Sequence, residues 1–384
     1  MTNAAAPSHS TISSSERFQW LDSVRGLAII WIALFHFVLA YGGNYPWPIS
    51  FSNLPAFVRD CSPASLFGSL SCTIEALAVG LFQRGAQGVG VFTLFSGFGL
   101  TYALVRRGRE PAWGSWYKQR LIRLLPLYWF AHLFFLVSPY AKVDPFDYRF
   151  ILSFFGNRVY PIDQVFYYFV PAWWFIGMLL QFYIAFPVLY RLMQRLGAGK
   201  YLLLCIVLTA GSRYLIFGIL DANANYVQGG LFLCRLWEFA TGMILGKVMA
   251  ESPRLVLDKL FSPGGFIAGI VLYALGQLAY RPGFVYSFSD GLTGTGLSLI
   301  MIHLASWIDR IPGLGKTFAA AGIFSYSIYL FHQPYVMYFG EKLRPYHIGV
   351  ALMLSIVITT IVSLASGYVE NSVNRLSDRY LRHR

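Results

Sequence analysis

Charge is what this sequence has least of. Asp, Glu, Lys and Arg make up 12% of its 384 residues, about half the share of a soluble globular chain. Acids are the scarcer sign: 17 Asp and Glu stand against 30 Lys and Arg, a net charge of +13. So few charges cannot clothe a water-facing surface. With 56% hydrophobic residues and several apolar segments of about 20 residues, the chain reads as a polytopic membrane protein. Its basic excess then belongs to cytoplasmic loops and anionic lipid. No basic tract interleaved with aromatics points to nucleic acid, and no nucleic-acid partner is expected. Cysteine is also sparse. Cys205 and Cys234 lie in apolar stretches and read as packing residues. Cys61 and Cys72 share one loop expected outside the cytoplasm, where they form a disulfide or remain two thiols. No Cys/His cluster has metal-ligand spacing, so no metal is expected. The inverted repeat common in transporters is missing, as is any attached soluble catalytic domain.

What is present is an all-α pattern. Ten spans are expected, at about 24–41, 86–105, 121–138, 172–194, 201–219, 230–249, 264–280, 291–308, 320–340 and 347–370. With the N-terminus inside, most basic residues fall on the cytoplasmic side, including Arg106, Arg107, Arg109, Lys118, Arg120 and Arg123 between spans two and three. Both termini are then cytoplasmic. Residues 1–17 read as a disordered tail, 18–372 as one transmembrane domain, and 373–384 as a short basic tail. The apolar stretch Ala64 to Phe82 reads as an interfacial or re-entrant element on the outer side, because a full crossing there would invert the charge bias.

The most informative stretch is the first span, Leu21 to Tyr41. It carries Asp22, Arg25 and His36, and ionisable groups at membrane depth are costly enough to be functional candidates. Arg25 and His36 are about three helical turns apart, so they share one face, separated by about 16 Å. Asp22 precedes Arg25 by one turn and can pair with it. The bland alternative is an interfacial Arg and a His that only bonds a neighbouring helix.

Other polar features recur along the chain. Arg120 and Arg123 are one turn apart and can grip a phosphate, or simply anchor the cytoplasmic side. The small-residue run Gly85 to Gly99 allows close helix approach beside span one. Trp173 and Trp174 open span four as an interface belt or a sugar-stacking platform. Arg235 and Glu238 stand at i and i+3 and can neutralise each other. Ser325, Tyr329 and His332 form a second polar stripe at helical spacing. Glu370 reads as a helix-terminal residue.

In order, LDSVRGLA followed by LFH, GVGVFTLFSGF, RLIRLLPLYW, RLWEF and FSYSIYLFHQP resemble membrane acyltransferase family 3. The resemblance covers about residues 18–372. It implies transfer of an acyl group, usually acetyl, from cytoplasmic acetyl-CoA to a sugar or glycan hydroxyl. It implies His36 as the catalytic residue; Arg25, with Asp22 to orient it, is expected to serve the reaction from the other end of the same face. Arg25, Arg120 and Arg123 would handle CoA, with Tyr128 in the same motif as a further candidate contact. Trp173, Trp174, Arg235, Glu238, Ser325, Tyr329 and His332 are candidate contacts for the acceptor. One departure is Met178-Leu179-Leu180-Gln181-Phe182-Tyr183, where many members carry acids before the Gln; this points to a different acceptor pocket. Expected partners are acetyl-CoA, an exopolysaccharide, O-antigen or lipid-linked glycan, and bilayer lipid, with the protein in a bacterial inner membrane. The rival reading is a proton-coupled transporter or flippase of lipid-linked glycan, with His36 as a proton relay.

Overall fold

The computed structural model describes residues 18–42, 45–50, 52–61, 66–138, 143–281 and 283–382. The expected N-terminal tail, residues 1–17, lies outside them. All described elements are helical. In chain order they are α1 (Gln19–Tyr41), α2 (Leu54–Cys61), α3 (Leu66–Gln83), α4 (Gly88–Arg106), α5 (Trp113–Leu136), α6 (Tyr148–Phe154), α7 (Ile162–Val165), α8 (Trp174–Arg213), α9 (Leu236–Glu251), α10 (Pro253–Leu260), α11 (Pro263–Ala279), α12 (Ser289–Ile308), α13 (Leu314–Ile323), α14 (Ser325–Lys342) and α15 (Ile348–Arg382).

The ten expected spans fall on helical stretches, although the ninth straddles the break at Phe324 between α13 and α14 and the sixth begins ahead of α9; fewer meet the demands of a bilayer by length and composition. Five described helical stretches do, or six if the bent pair α10 and α11 counts as one. The shortfall has local causes. α5 carries Arg120 and Arg123 in its first half, α9 has only 16 residues, and α14 carries the second polar stripe and an internal Pro334. Spans four and five are the two arms of α8, broken at Gly197, whose φ of 74° a side chain would strain. α15 continues through Arg382, so most of the expected C-terminal tail prolongs a helix.

The segment expected as an interfacial or re-entrant element on the outer side packs on the C-terminal half of α1. From Leu66 onward it is α3, and it runs antiparallel along the C-terminal half of α1. Ala76 and Val79 pack with Phe37, Val38 and Tyr41. A 3-10 turn, Gly85–Gln87, then brings the chain to the middle of α1, where Gly85 meets the Trp31 carbonyl and Trp31 Nε1 donates to Leu81 O at 2.8 Å. α4 continues in the same sense along the N-terminal half, with Leu94, Phe95 and Phe98 against Leu21, Val24 and Ala28. Thus α3 and α4 together follow α1 as one path broken opposite its midpoint. Its exposed apolar face, Leu70, Ile74, Leu77 and Leu81, recurs at helical spacing and suits lipid contact. Cys61 and Cys72 form a disulfide that ties α2 to α3.

Glycine sets the closest helix crossings. A Cβ on Gly26 would lie 1.9 Å from Phe318 O, and one on Gly322 would lie 1.7 Å from Asp22 O. α1 and α13 therefore touch backbone to backbone, which fixes α14, the next helix, beside α1. Cys205 and Cys234 are buried free thiols, as their apolar settings suggest.

Candidate active site

The fold encloses a cavity of about 920 Å³ between α1, the α3–α4 break, α8, α12 and α14. Arg25, His36, Trp174, Arg235, Ser325, Tyr326, Tyr329 and Gln333 all contribute to its wall. The stripe on α1 and the stripe on α14 thus face the same space, although roughly 300 residues of sequence separate them.

Arg25 sits near the N-terminal end of α1, its side chain 32% exposed, with Nη1 4.0 Å from Oδ1 of the buried Asp22. His36 Nδ1 lies 3.0 Å from Ile32 O and 3.2 Å from His332 Nε2. His332 Nδ1 in turn lies 2.9 Å from Ile328 O and 3.0 Å from Tyr329 O. His332 is buried and stands behind His36. On the same helix, Tyr329 donates to Ala172 O at 2.5 Å, and Gln333 Oε1 accepts from Ala172 N at 2.5 Å. These two bonds pin the start of α8 to the cavity.

Another wall is ionic. Arg235 Nε lies 3.2 Å from Glu238 Oε1, and Arg235 Nη1 lies 2.7 Å from Asp290 Oδ2. Arg213 Nη1 approaches the same oxygen at 2.6 Å, and Tyr280 donates to Asp290 Oδ1 at 2.5 Å. Asp290, Tyr280 and Arg213 escaped the sequence reading. The available signal was Asp290 itself, a lone acid at the head of an apolar span.

Not every expected site residue faces the cavity. Tyr128 is fully buried and donates to Ser153 O at 2.8 Å. Trp173 is fully buried too; its Nε1 donates to Leu330 O at 3.0 Å and its ring packs on Tyr128 and His132. It is neither an exposed belt residue nor a wall residue, whereas its neighbour Trp174 lines the cavity. Behind Trp173 lies a second polar network that the sequence did not suggest. Arg158 donates to Tyr168 O at 2.5 Å and to Ser153 Oγ at 2.6 Å, and His132 Nε2 lies 2.9 Å from that oxygen. This network fastens the 143–171 segment against α5. Arg120 and Arg123 lie off the cavity wall, with Arg120 over the Trp116 ring. Glu370 is no helix terminus; it sits inside α15 and accepts from Ser327 at 2.5 Å. Gln181 bridges Gly230 O and Phe232 N at 3.0 and 3.2 Å.

A second cavity of about 510 Å³ adjoins the first and shares Leu39, Pro171, Gln333 and Met337 with it. It lies past the C-terminal end of the α1 stripe and is edged by Tyr338, Glu341 and Arg344. The two cavities therefore meet at their shared residues, beyond His36 along α1. Among the described residues no group of His, Cys, Asp and Glu could hold a metal ion.

Compared with known families, the sequence matches an acyltransferase domain over residues 18–369. No curated protein and no solved structure gives a match.

Proposed function

The chain belongs to that acyltransferase family, and we propose that it is an O-acetyltransferase carrying acetyl from cytoplasmic acetyl-CoA to a sugar hydroxyl on the opposite side of a bacterial inner membrane. The observation that carries this reading is the single cavity touching both Arg25 and His36. In this reading the chain crosses the bilayer ten times and both termini are cytoplasmic. The N-terminal end of α1 then faces the acetyl-CoA pool. Arg25, held by Asp22, meets the charged part of CoA, and Arg120 and Arg123 add positive charge on the same side. The pantetheine arm extends about 16 Å along α1 and brings the thioester to His36. The acceptor, part of an exopolysaccharide, O-antigen or lipid-linked glycan, comes through the second cavity, where Tyr338 and Glu341 offer a ring face and a carboxylate.

The chemistry is direct transfer. His36 takes the hydroxyl proton while the hydroxyl oxygen bonds to the thioester carbonyl carbon. The C–S bond then breaks, and the leaving thiolate recovers the proton as CoA thiol. An imidazole suits this exchange because it accepts and returns a proton near neutral pH. Arg235, Glu238, Ser325, Tyr329 and Trp174 shape the acceptor end. Membership of an acyltransferase family leaves the transporter alternative without support.

The test uses membranes holding the full chain, radiolabelled acetyl-CoA, and the membranes' own glycan as acceptor. His36→Ala should lower label transfer by about 10²- to 10⁴-fold in protein that stays folded. Transfer at the wild-type rate would sink the proposal. Arg120→Ala and Arg123→Ala should raise the KM for acetyl-CoA; a change confined to the acceptor would overturn their assignment.

A further inference from the structure

We propose that His332 is a positioning residue that sets the protonation of His36 and keeps the His36 Nε2 lone pair facing substrate; this rests on the reading of His36 as the base. The donors and acceptors around the two rings fix where the protons sit. His332 Nδ1 meets two carbonyl oxygens, Ile328 O at 2.9 Å and Tyr329 O at 3.0 Å. Carbonyl oxygens only accept, so Nδ1 carries the proton, and a neutral His332 presents a bare Nε2. That Nε2 lies 3.2 Å from His36 Nδ1, which also meets Ile32 O at 3.0 Å. Both partners of His36 Nδ1 are thus acceptors. It must be protonated, and the lone pair of the neutral His36 ring is left on Nε2.

The opposite tautomer of His36 would turn the single Nδ1 lone pair toward both the His332 Nε2 lone pair and the Ile32 carbonyl oxygen. His332 itself is not among the described residues lining the cavity, whereas His36 is. His332 therefore acts through His36 and does not touch the acceptor. When His36 takes the hydroxyl proton on Nε2, its Nδ1–H still points at two acceptors, which stabilises the cation. A neutral imidazole does this without burying a second charge, as a carboxylate in its place would. Two backbone carbonyls hold the orienting ring, so the relay is fixed by the first turns of α14 and needs no third side chain.

The test compares two substitutions in the same membranes and with the same labelled donor. His332→Gln places an amide oxygen near the position of Nε2 and keeps an acceptor for His36. It should hold kcat within about fivefold of wild type, a small part of what general-base catalysis supplies. His332→Leu fills similar space with no acceptor and should lower kcat by about 10- to 100-fold. The KM for acetyl-CoA should be unchanged in both. Equal losses in the two variants, or a KM effect at constant kcat, would overturn the positioning role. An independent readout is 15N magnetic resonance of histidine-labelled protein in lipid bilayers, with the His36 signals identified by their loss in His36→Ala. Nδ1 protonated and Nε2 bare is the expected state; a proton on Nε2 would overturn the inference. Turnover surviving in His36→Ala would instead defeat the base assignment, while the tautomer would still be judged by the spectrum.

Discussion

Where α1 meets α14 beside the cavity, two imidazole rings are held by backbone carbonyls and by each other. At the α9–α12 wall the polar groups are ions held by one another. Two arginines and two carboxylates balance there, and Arg213, Arg235 and Glu238 are nearly or wholly buried. In such a cluster each charge depends on an opposite within reach, so removing one partner strands another buried charge. The histidine pair is the reverse. Its hydrogen bonds are fewer and uncharged, and they leave one ring nitrogen for chemistry. The contrast separates a wall of interlocked ions from a pair of rings joined by uncharged groups.

The sharpest way to break that contrast is Asp290→Ala. It leaves Arg213 and Arg235 facing each other with only Glu238 to balance them. The expected loss is about 3–5 kcal/mol of stability, read as a lowered thermal unfolding midpoint in detergent. His36→Ala should cost no more than about 1–2 kcal/mol by the same measure, while abolishing turnover. Reversed magnitudes would mean that the two walls have been assigned the wrong way round. Next in size is a rescue. Arg213→Met combined with Asp290→Leu removes one charge of each sign and leaves Arg235 with Glu238. It should recover at least about half of the Asp290→Ala loss; a further drop would show that the ions act individually.

Exposed pairs supply the low end of the scale. Arg191 and Glu110 lie 3.3 Å apart with side chains 52% and 46% exposed. Glu110→Ala should shift stability by less than about 1 kcal/mol, and a buried-pair effect there would undercut the distinction drawn from burial. The smallest effect is expected at Asp147, which caps α6 by accepting from Arg149 N at 2.8 Å. The side-chain hydrogen bonds from Arg149, then that backbone bond, hold its carboxyl below the usual carboxylate range. Its contribution is therefore full above the ordinary carboxylate pKa and fades as pH falls through the lowered value. Hydrogen exchange in residues 143–155 should rise over that acidic window relative to the intrinsic rate. Asp147→Ala should remove the dependence; an unchanged pH profile would contradict the capping role.

Much of this was legible in the chain itself. An apolar segment interrupted by Arg25 and His36 at whole-turn spacing declares one polar face, because the helical period leaves no alternative. Arg235 and Glu238 were legible for the same reason, as partners one turn apart. Asp290 with Arg213 was not: those residues are 77 positions apart in sequence, and periodicity says nothing about pairs between helices. The course of α3 was not legible, because hydropathy reports affinity for lipid and not direction. Its antiparallel course along α1 depends on Gly85 meeting the Trp31 carbonyl. Glu370 looked terminal because its helix was expected to stop at 370, whereas α15 runs on and buries the carboxylate against Ser327.

The sequence by itself determined that this protein is helical, apolar and organised around the Arg25–His36 face, since local period and composition are properties of consecutive residues. Only the tertiary structure decided that His332 stands behind His36, that Tyr128 and Trp173 turn away from the cavity, and that Asp290 joins two arginines. Those outcomes depend on which helices cross closely enough to share hydrogen bonds. Here glycine pairs such as Gly26 and Gly322 set that approach by letting backbones touch.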